Sequence, residues 1–302
     1  MIIADKHTQY NIVCIGAGAN GSHFVRNLLQ DISTYGAGRS TSFYRKARLF
    51  GTLTIVDGDK VEQKNLSNQL FDVEDINAFK VDALAERYGT HYEVDVMAVA
   101  EYVTSIEELH ELFSLNEENN KNKMIPILIG LVDNNRTRML MHEYFHSYLL
   151  DELLYIDVGV EGVLLKEELP NEPLVDEKIM GSGFSGQVVC GYKKYGEVFL
   201  PPVADVYPTI LADEESVFPN QSCGDLILQN PQRSATNKMA AQLTNTFMNN
   251  LFHSGEIVQE EIIFNARFGS AQTRFVSKRT KQLFKNFFEE MNDNDATSSI
   301  VS

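Results

Sequence analysis

The 302 residues, 43% hydrophobic and 23% charged, have the balance of an ordinary soluble globular protein with one large domain, or one domain carrying a substantial insertion. A formal charge of −16 argues against a nucleic-acid-binding face, which needs a basic stripe, but leaves room for a local basic pocket around phosphate. Cys14, Cys190 and Cys223 lie far apart without a CxxC pair, which excludes a four-cysteine zinc site, argues against a disulfide framework and suits a reducing cytoplasm. "MIIADKHTQY" lacks a secretory pattern, and the longest apolar runs, such as "MIPILIGLV", are too short to cross a bilayer.

In chain order, "YNIVCIGAG" reads as a buried strand and "NGSHFVRNLLQDI" as the helix after it. The polar, basic stretch from Thr34 to Arg48 is an insertion before the second strand, "GTLTIVD", and the second helix, "DINAFKVDALAERY". "HYEVDVMAVAEYV" alternates as a third strand, followed by helical "SIEELHELFSL" and a solvated loop from Asn116 to Lys123. "MIPILIGLVD", "NRTRMLMHEYFHSYLL" and "ELLYIDVGV" complete the pattern as strand, helix and strand. Strictly alternating strands and helices predict an α/β fold: a doubly wound, Rossmann-like parallel sheet with helices on both faces. Beyond about Gly162 the character changes. Prolines accumulate, helical spacing returns in "SATNKMAAQLTNTFMNNLF", "EIIFNARFG" with "TRFVS" suits a hairpin, and "NDNDATSSIVS" reads as disordered. No internal repeat is visible. The division expected is a nucleotide-binding half over 1–162, a C-terminal half of the same domain over 163–285, and a disordered tail over 286–302.

The chemistry concentrates in the first half. "GAGANG" places Gly16, Gly18 and Gly21 as G-x-G-x-x-G between strand and helix, where the backbone and a helix N-terminus can meet phosphate; a plain structural turn is the alternative. Asp57 ends the second strand, suited to ribose hydroxyls, and lies later than the usual roughly 20 residues because of the basic insertion. Asp59 serves the same site or is a turn residue of "DGD". Lys80, on composition alone, is a solvated helix lysine. Asp133 falls at the carboxyl end of the fourth strand, where a carboxylate suits Mg²⁺ beside a triphosphate or, alternatively, caps the next helix.

Taken together, "GAGANGS", "VDGDKVEQKNLSNQLF", "AFKVDALAER" and "LVDNNRTR" resemble the E1-like adenylyltransferases of the ThiF/MoeB/ubiquitin-activating superfamily, whose pattern is a glycine loop, D-x-D-x-x-x-x-x-N-L-x-R-Q, a helix lysine and D-N-x-x-x-R. "GQVVCGY", "FLPPVADVYPTI", "NQSCGDL" and "FMNNLFHSGEI" are further similar, in order, to the ThiF-like family of bacterial PRTRC systems. The resemblance implies an E1-like C-terminal extension, a homodimer, ATP and Mg²⁺ as cofactors, and a small ubiquitin-like or sulfur-carrier-type protein as partner, with no nucleic acid or membrane. It implies that Asp57 holds the ribose with Asp59 close by, that Asn65 and Gln69 line the ATP site, and that Lys80 reaches the phosphates. It further implies that Asp133 serves Mg²⁺, with Asn134 of the same motif counted at the nucleotide. The implied reaction is attack of a C-terminal carboxylate on the ATP α-phosphate, followed by transfer to a cysteine.

Asn68 stands where the family pattern has a triphosphate-binding arginine, and an asparagine replaces neither the charge nor the forked donors. Lys60, Lys64, Arg26, Arg45 and Arg48 are the basic residues able to compensate. A nucleotide- or partner-binding protein without turnover is therefore one alternative, and an NAD-dependent oxidoreductase on the same scaffold another. Cys223, in "NQSCGDL", matches the family's cysteine position and is either the acyl acceptor or an inert loop thiol; Cys14 reads as core and Cys190 as part of an apolar strand. "HEYFH" formally meets H-E-x-x-H through His142 and His146, but beside ATP motifs it reads as a packed amphipathic helix.

Overall fold

A computed structural model describes residues 1–5, 8–35, 52–114, 124–166, 175–219 and 232–298. Strand β1 (Gln9–Ile15) is apolar on both sides, and its alternate residues enter two different cores. Ile12 and Cys14 join α1 (Ala19–Tyr35), while Val13 and Ile15 face the layer in which α4 (Ile106–Ser114) and α5 (Asn135–His146) lie. Burial on both faces explains why the central strands read as continuous apolar runs.

Parallel pairing joins β3 (Met97–Val99), β2 (Thr52–Val56), β1, β4 (Met124–Gly130) and β5 (Glu152–Val160) in that spatial order. The sheet then continues antiparallel through β6 (Ser185–Lys194), β8 (Gln259–Asn265) and β9 (Ser270–Phe275), with β7 (Glu197–Leu200) also on β6. The doubly wound α/β expectation holds, and one sheet spans the 162/163 boundary. The helix expected over "SATNKMAAQLTNTFMNNLF" is α8 (Ser234–Ser254), packed on α1, where Asn249 Nδ2 donates to Asp31 at 2.8 Å. The hairpin expected from "EIIFNARFG" and "TRFVS" is β8–β9.

Three elements differ from expectation. The second helix, α2 (Lys80–Leu84), starts five residues after Asp75, because Asn77 adopts φ +73° and Lys60 bridges Phe79 before the helix begins. A π-helical turn and the single turn α3 (Thr90–Tyr92) prolong it until Glu93, at φ +56°, ends it, so only Met97–Val99 of the third strand remains. Helix α9 (Lys278–Ser298) runs through most of the segment expected to be a tail. Its Phe284 and Phe287 meet the Phe199 ring at centroid distances of 5.0 and 5.5 Å, giving the helix an apolar face to dock. Short helices α6 (Val175–Gly181) and α7 (Val203–Val206) flank β6 and β7. No helix among the described residues is long and apolar enough to cross a membrane.

Candidate active site

From β1 the chain moves one way to β2 and the other way to β4, so a crevice opens at the carboxyl ends of β1 and β4, where open α/β sheets bind ligands. The glycine loop lies there. Gly16 has φ +103°, and a Cβ on it would come within 2.7 Å of the Leu131 carbonyl oxygen; a Cβ on Gly21 would lie 2.2 Å from the Gly16 oxygen. Both positions therefore need glycine for the helix to start against the strand. A Cβ on Gly18 would meet nothing within 4 Å, so the loop is open on that side. The first turn of α1 has no acidic residue to offset the positive end of its dipole.

Behind the loop, Asp57 Oδ2 accepts from Ala17 N at 2.7 Å and its Oδ1 from Asp59 N at 2.8 Å, tying β2 to the glycine loop. Burial pushes the Asp57 carboxyl up, against the pull of Lys80. Lys80, 6% exposed, donates Nζ to Asp59 Oδ2 at 2.7 Å. Burial alone would lower the Lys80 pKa, but Asp57 and Asp59, with Asp133, raise it and keep the ammonium charged. Burial would likewise raise Asp59, yet Lys80 and the Tyr102 hydroxyl, which donates to Asp59 Oδ1, hold it below the usual carboxylate range. The structure thus draws Asp57, Asp59, Lys80 and Asp133 into one charge cluster beside the open glycine loop.

Asp133 is exposed and is not the helix cap: that role falls to Asn134, whose Oδ1 accepts from Thr137 N at 2.8 Å. Asn65 is buried and uses its Oδ1 to accept from Glu62 N at 2.8 Å, closing the turn after the D-x-D pair. Gln69 Oε1 and Asn20 Oδ1 are buried without a hydrogen-bond partner among the described residues, as acceptors awaiting a donor would be. An open phosphate cradle, unpaired acceptors, and carboxylates beside a lysine fit a nucleotide triphosphate with a hard divalent cation. Next to Asp133, a cleft of about 350 Å³ lined by Arg138, Gly159, Gln187 and Tyr207 runs off along the ends of β4 and β5.

Of the residues able to compensate for Asn68, Lys60 lies over the Phe79 ring and Lys64 pairs with Glu62 at 3.0 Å. Arg45, Arg48 and Cys223 lie outside the described residues. His23, hydrogen-bonded to the Asn68 backbone, is held below its usual value by burial and by Lys238 and Arg26, so the last two bring positive charge close to position 68. Sequence reasoning missed Tyr102, Lys238 and Arg138, of which only Arg138 carried a signal, as the arginine of D-N-x-x-x-R. Cys14 and Cys190 are buried in the core, where burial pushes both thiols far up and makes them poor nucleophiles.

A mixed sheet whose parallel half carries a glycine loop and a carboxylate–lysine cluster at its switch point defines a nucleotide-binding α/β protein. The ThiF family model matches residues 4–190, and the chain belongs to the ThiF family. No curated protein matches it in sequence. Its fold is similar to that of PaaA, at 15% identity and a TM-score of 0.50 over 89% of this chain and 64% of that one. It is similar also to E. coli MccB crystallised with ATP, at 13% identity and a TM-score of 0.51 over 90% of this chain and 65% of that one. Against E. coli MccB crystallised with MccA the values are 13% and 0.50, over 90% and 65%. The chain spans less than two thirds of the length of these proteins.

Proposed function

We propose that the chain uses ATP and Mg²⁺ to adenylylate the C-terminal carboxylate of a small ubiquitin-like or carrier protein, or of a peptide, as an E1-like enzyme. The observation that carries this reading is the Asp57–Asp59–Lys80–Asp133 cluster set between the open glycine loop and the cleft. A carboxylate oxygen of the acceptor attacks the α-phosphorus, the bond to the pyrophosphate oxygen breaks, and acyl-adenylate and pyrophosphate form without net proton transfer. Positioning and charge neutralisation carry such a step. Asp133 would hold Mg²⁺, Lys80 the phosphates, Asp57 the ribose, and the cleft the acceptor's tail. Fold similarity to MccB, crystallised with ATP and with MccA, supports this reading. Under it, a Cys223 thiolate attacks the acyl carbon and releases AMP, and the working form is a cytoplasmic homodimer, with the PRTRC-type subtype following from the second-half motifs.

Asn68 favours a second reading, a binding protein without turnover. Titration calorimetry with Mg-ATP and with NAD, alongside ATP–pyrophosphate exchange, separates the possibilities. We expect Mg-ATP binding, no NAD binding, and exchange lowered at least ~10²-fold by Asp133→Ala or Lys80→Ala. Binding without exchange would select the second reading, and NAD binding alone would overturn both.

A further inference from the structure

The far end of α5 is remote from the nucleotide. His142 and His146 stand four residues apart and share one helix face, about 12–18 Å along the axis from the Asn134 cap. Beside the ATP motifs, the sequence assigned them to a packed amphipathic helix, with no third ligand identified. The fold supplies one. Helix α7 packs against α5 and brings Asp205 within reach of both imidazoles. His146 Nε2 lies 3.2 Å from Asp205 Oδ2, His142 Nε2 lies 3.7 Å from Oδ1, and the two rings meet edge-on at 4.6 Å between centroids. One donor atom from each residue falls within 4.8 Å of the other two.

The geometry points to a three-ligand site for a divalent transition-metal ion of zinc-like character, formed by His142, His146 and Asp205. Donors about 3.3 Å apart surround a tetrahedral ion with bonds of about 2.0–2.1 Å, so rotamer adjustments of roughly an ångström complete the site. Two imidazoles and a carboxylate are the donor set such ions prefer over Mg²⁺ or Ca²⁺, and the fourth position stays open to water. His142 Nδ1 is buried with no hydrogen-bond partner among the described residues, so no outer contact there locks the tautomer, which makes this a moderate-affinity site. Glu143 occupies the general-base position of H-E-x-x-H but is exposed, so the site is assigned to holding an ion and not to metal-dependent hydrolysis. A bound ion would clamp α5 to α7, whose chain leads on towards Cys223.

The test titrates zinc into the full chain and records the visible spectrum with cobalt. We expect saturation by one ion per chain, cobalt bands of tetrahedral nitrogen–oxygen ligation, and a raised midpoint of thermal unfolding. His146→Gln, at an exposed position, and Asp205→Asn should each weaken zinc at least ~10-fold without altering Mg-ATP binding, and circular dichroism confirms that they fold. Absence of saturable zinc binding would overturn the assignment. So would unchanged affinity in both variants, or a cobalt–thiolate band placing the ion on cysteine.

Discussion

An arginine at position 68 would offer triphosphate oxygens a charged planar fork of donors, whereas Asn68 offers one neutral amide. His23, beside it, is held neutral and cannot restore the charge. Arg26 and Lys238 act on the same imidazole, so part of the missing charge comes from α1 and α8 as diffuse point charges, without the fork's geometry. Restoring the fork should therefore help. Asn68→Arg is expected to raise ATP–pyrophosphate exchange at least ~10-fold, towards the 10²–10³ that one preorganised donor typically contributes. An unchanged rate, with binding intact, would show that residue 68 does not face the phosphates. The same scale explains what the sequence revealed of the site. Asp59 and Lys80 were assigned only by the resemblance to the family pattern, whereas Asp57 and Asp133 were legible because strand ends place them. Tyr102 was not, because it reaches Asp59 from a loop with no pattern of its own, and Lys238 was not, because it lies on a helix over 150 residues later.

Elements hold these residues in place, and Arg138 is the clearest case. From α5 it donates Nε to Asp157 on β5 at 3.1 Å, and its Nη2 to the Val132 and Val158 carbonyls at 2.6 and 2.9 Å. Asp157 also accepts from the Tyr155 hydroxyl at 2.9 Å. The guanidinium therefore joins α5, β5 and the segment just before Asp133. Removing it strands a carboxylate that is 1% exposed. Arg138→Ala should cost about 3–5 kcal/mol by urea denaturation, and Arg138→Met with Asp157→Leu should recover most of that loss. A loss below about 1 kcal/mol would mean that Asp157 finds water or a proton at little cost. Periodicity showed α5, α8 and the parallel strands β1, β2, β4 and β5, which are largely buried and apolar. It misjudged α2 and β3, where a left-handed Asn77 and Glu93 set boundaries that hydrophobic spacing does not encode. The third ligand of the histidine pair was equally invisible, because Asp205 approaches from a four-residue helix almost 60 positions away.

The sheet as a whole changes direction at β6, where the parallel half meets the antiparallel half, and Lys193 is buried at this seam with only 4% of its surface exposed. Its Nζ donates to the Ser147 carbonyl at 2.6 Å and lies 5.9 Å from the Phe145 ring centroid. Burial, only partly opposed by Asp151, lowers its pKa to about 8. An unfolded lysine titrates near ~10.4, so between these values the unfolded chain binds more protons than the folded one. Linkage then makes stability rise with pH across that window, and the charged buried lysine is a cost at neutral pH. Rising pH also adds negative charge to a chain already at −16, and that repulsion opposes the gain. A comparison with Lys193→Met removes this background, because both proteins share it. From pH 8 to about 10.4 the parent should gain up to ~3 kcal/mol over the variant, at about 1.4 kcal/mol per unit of pKa difference. Urea denaturation of both at pH 7.5, 9 and 10.5 reads the difference directly. A constant gap would show that Lys193 titrates as an exposed lysine does, with water reaching the seam between the two halves of the sheet.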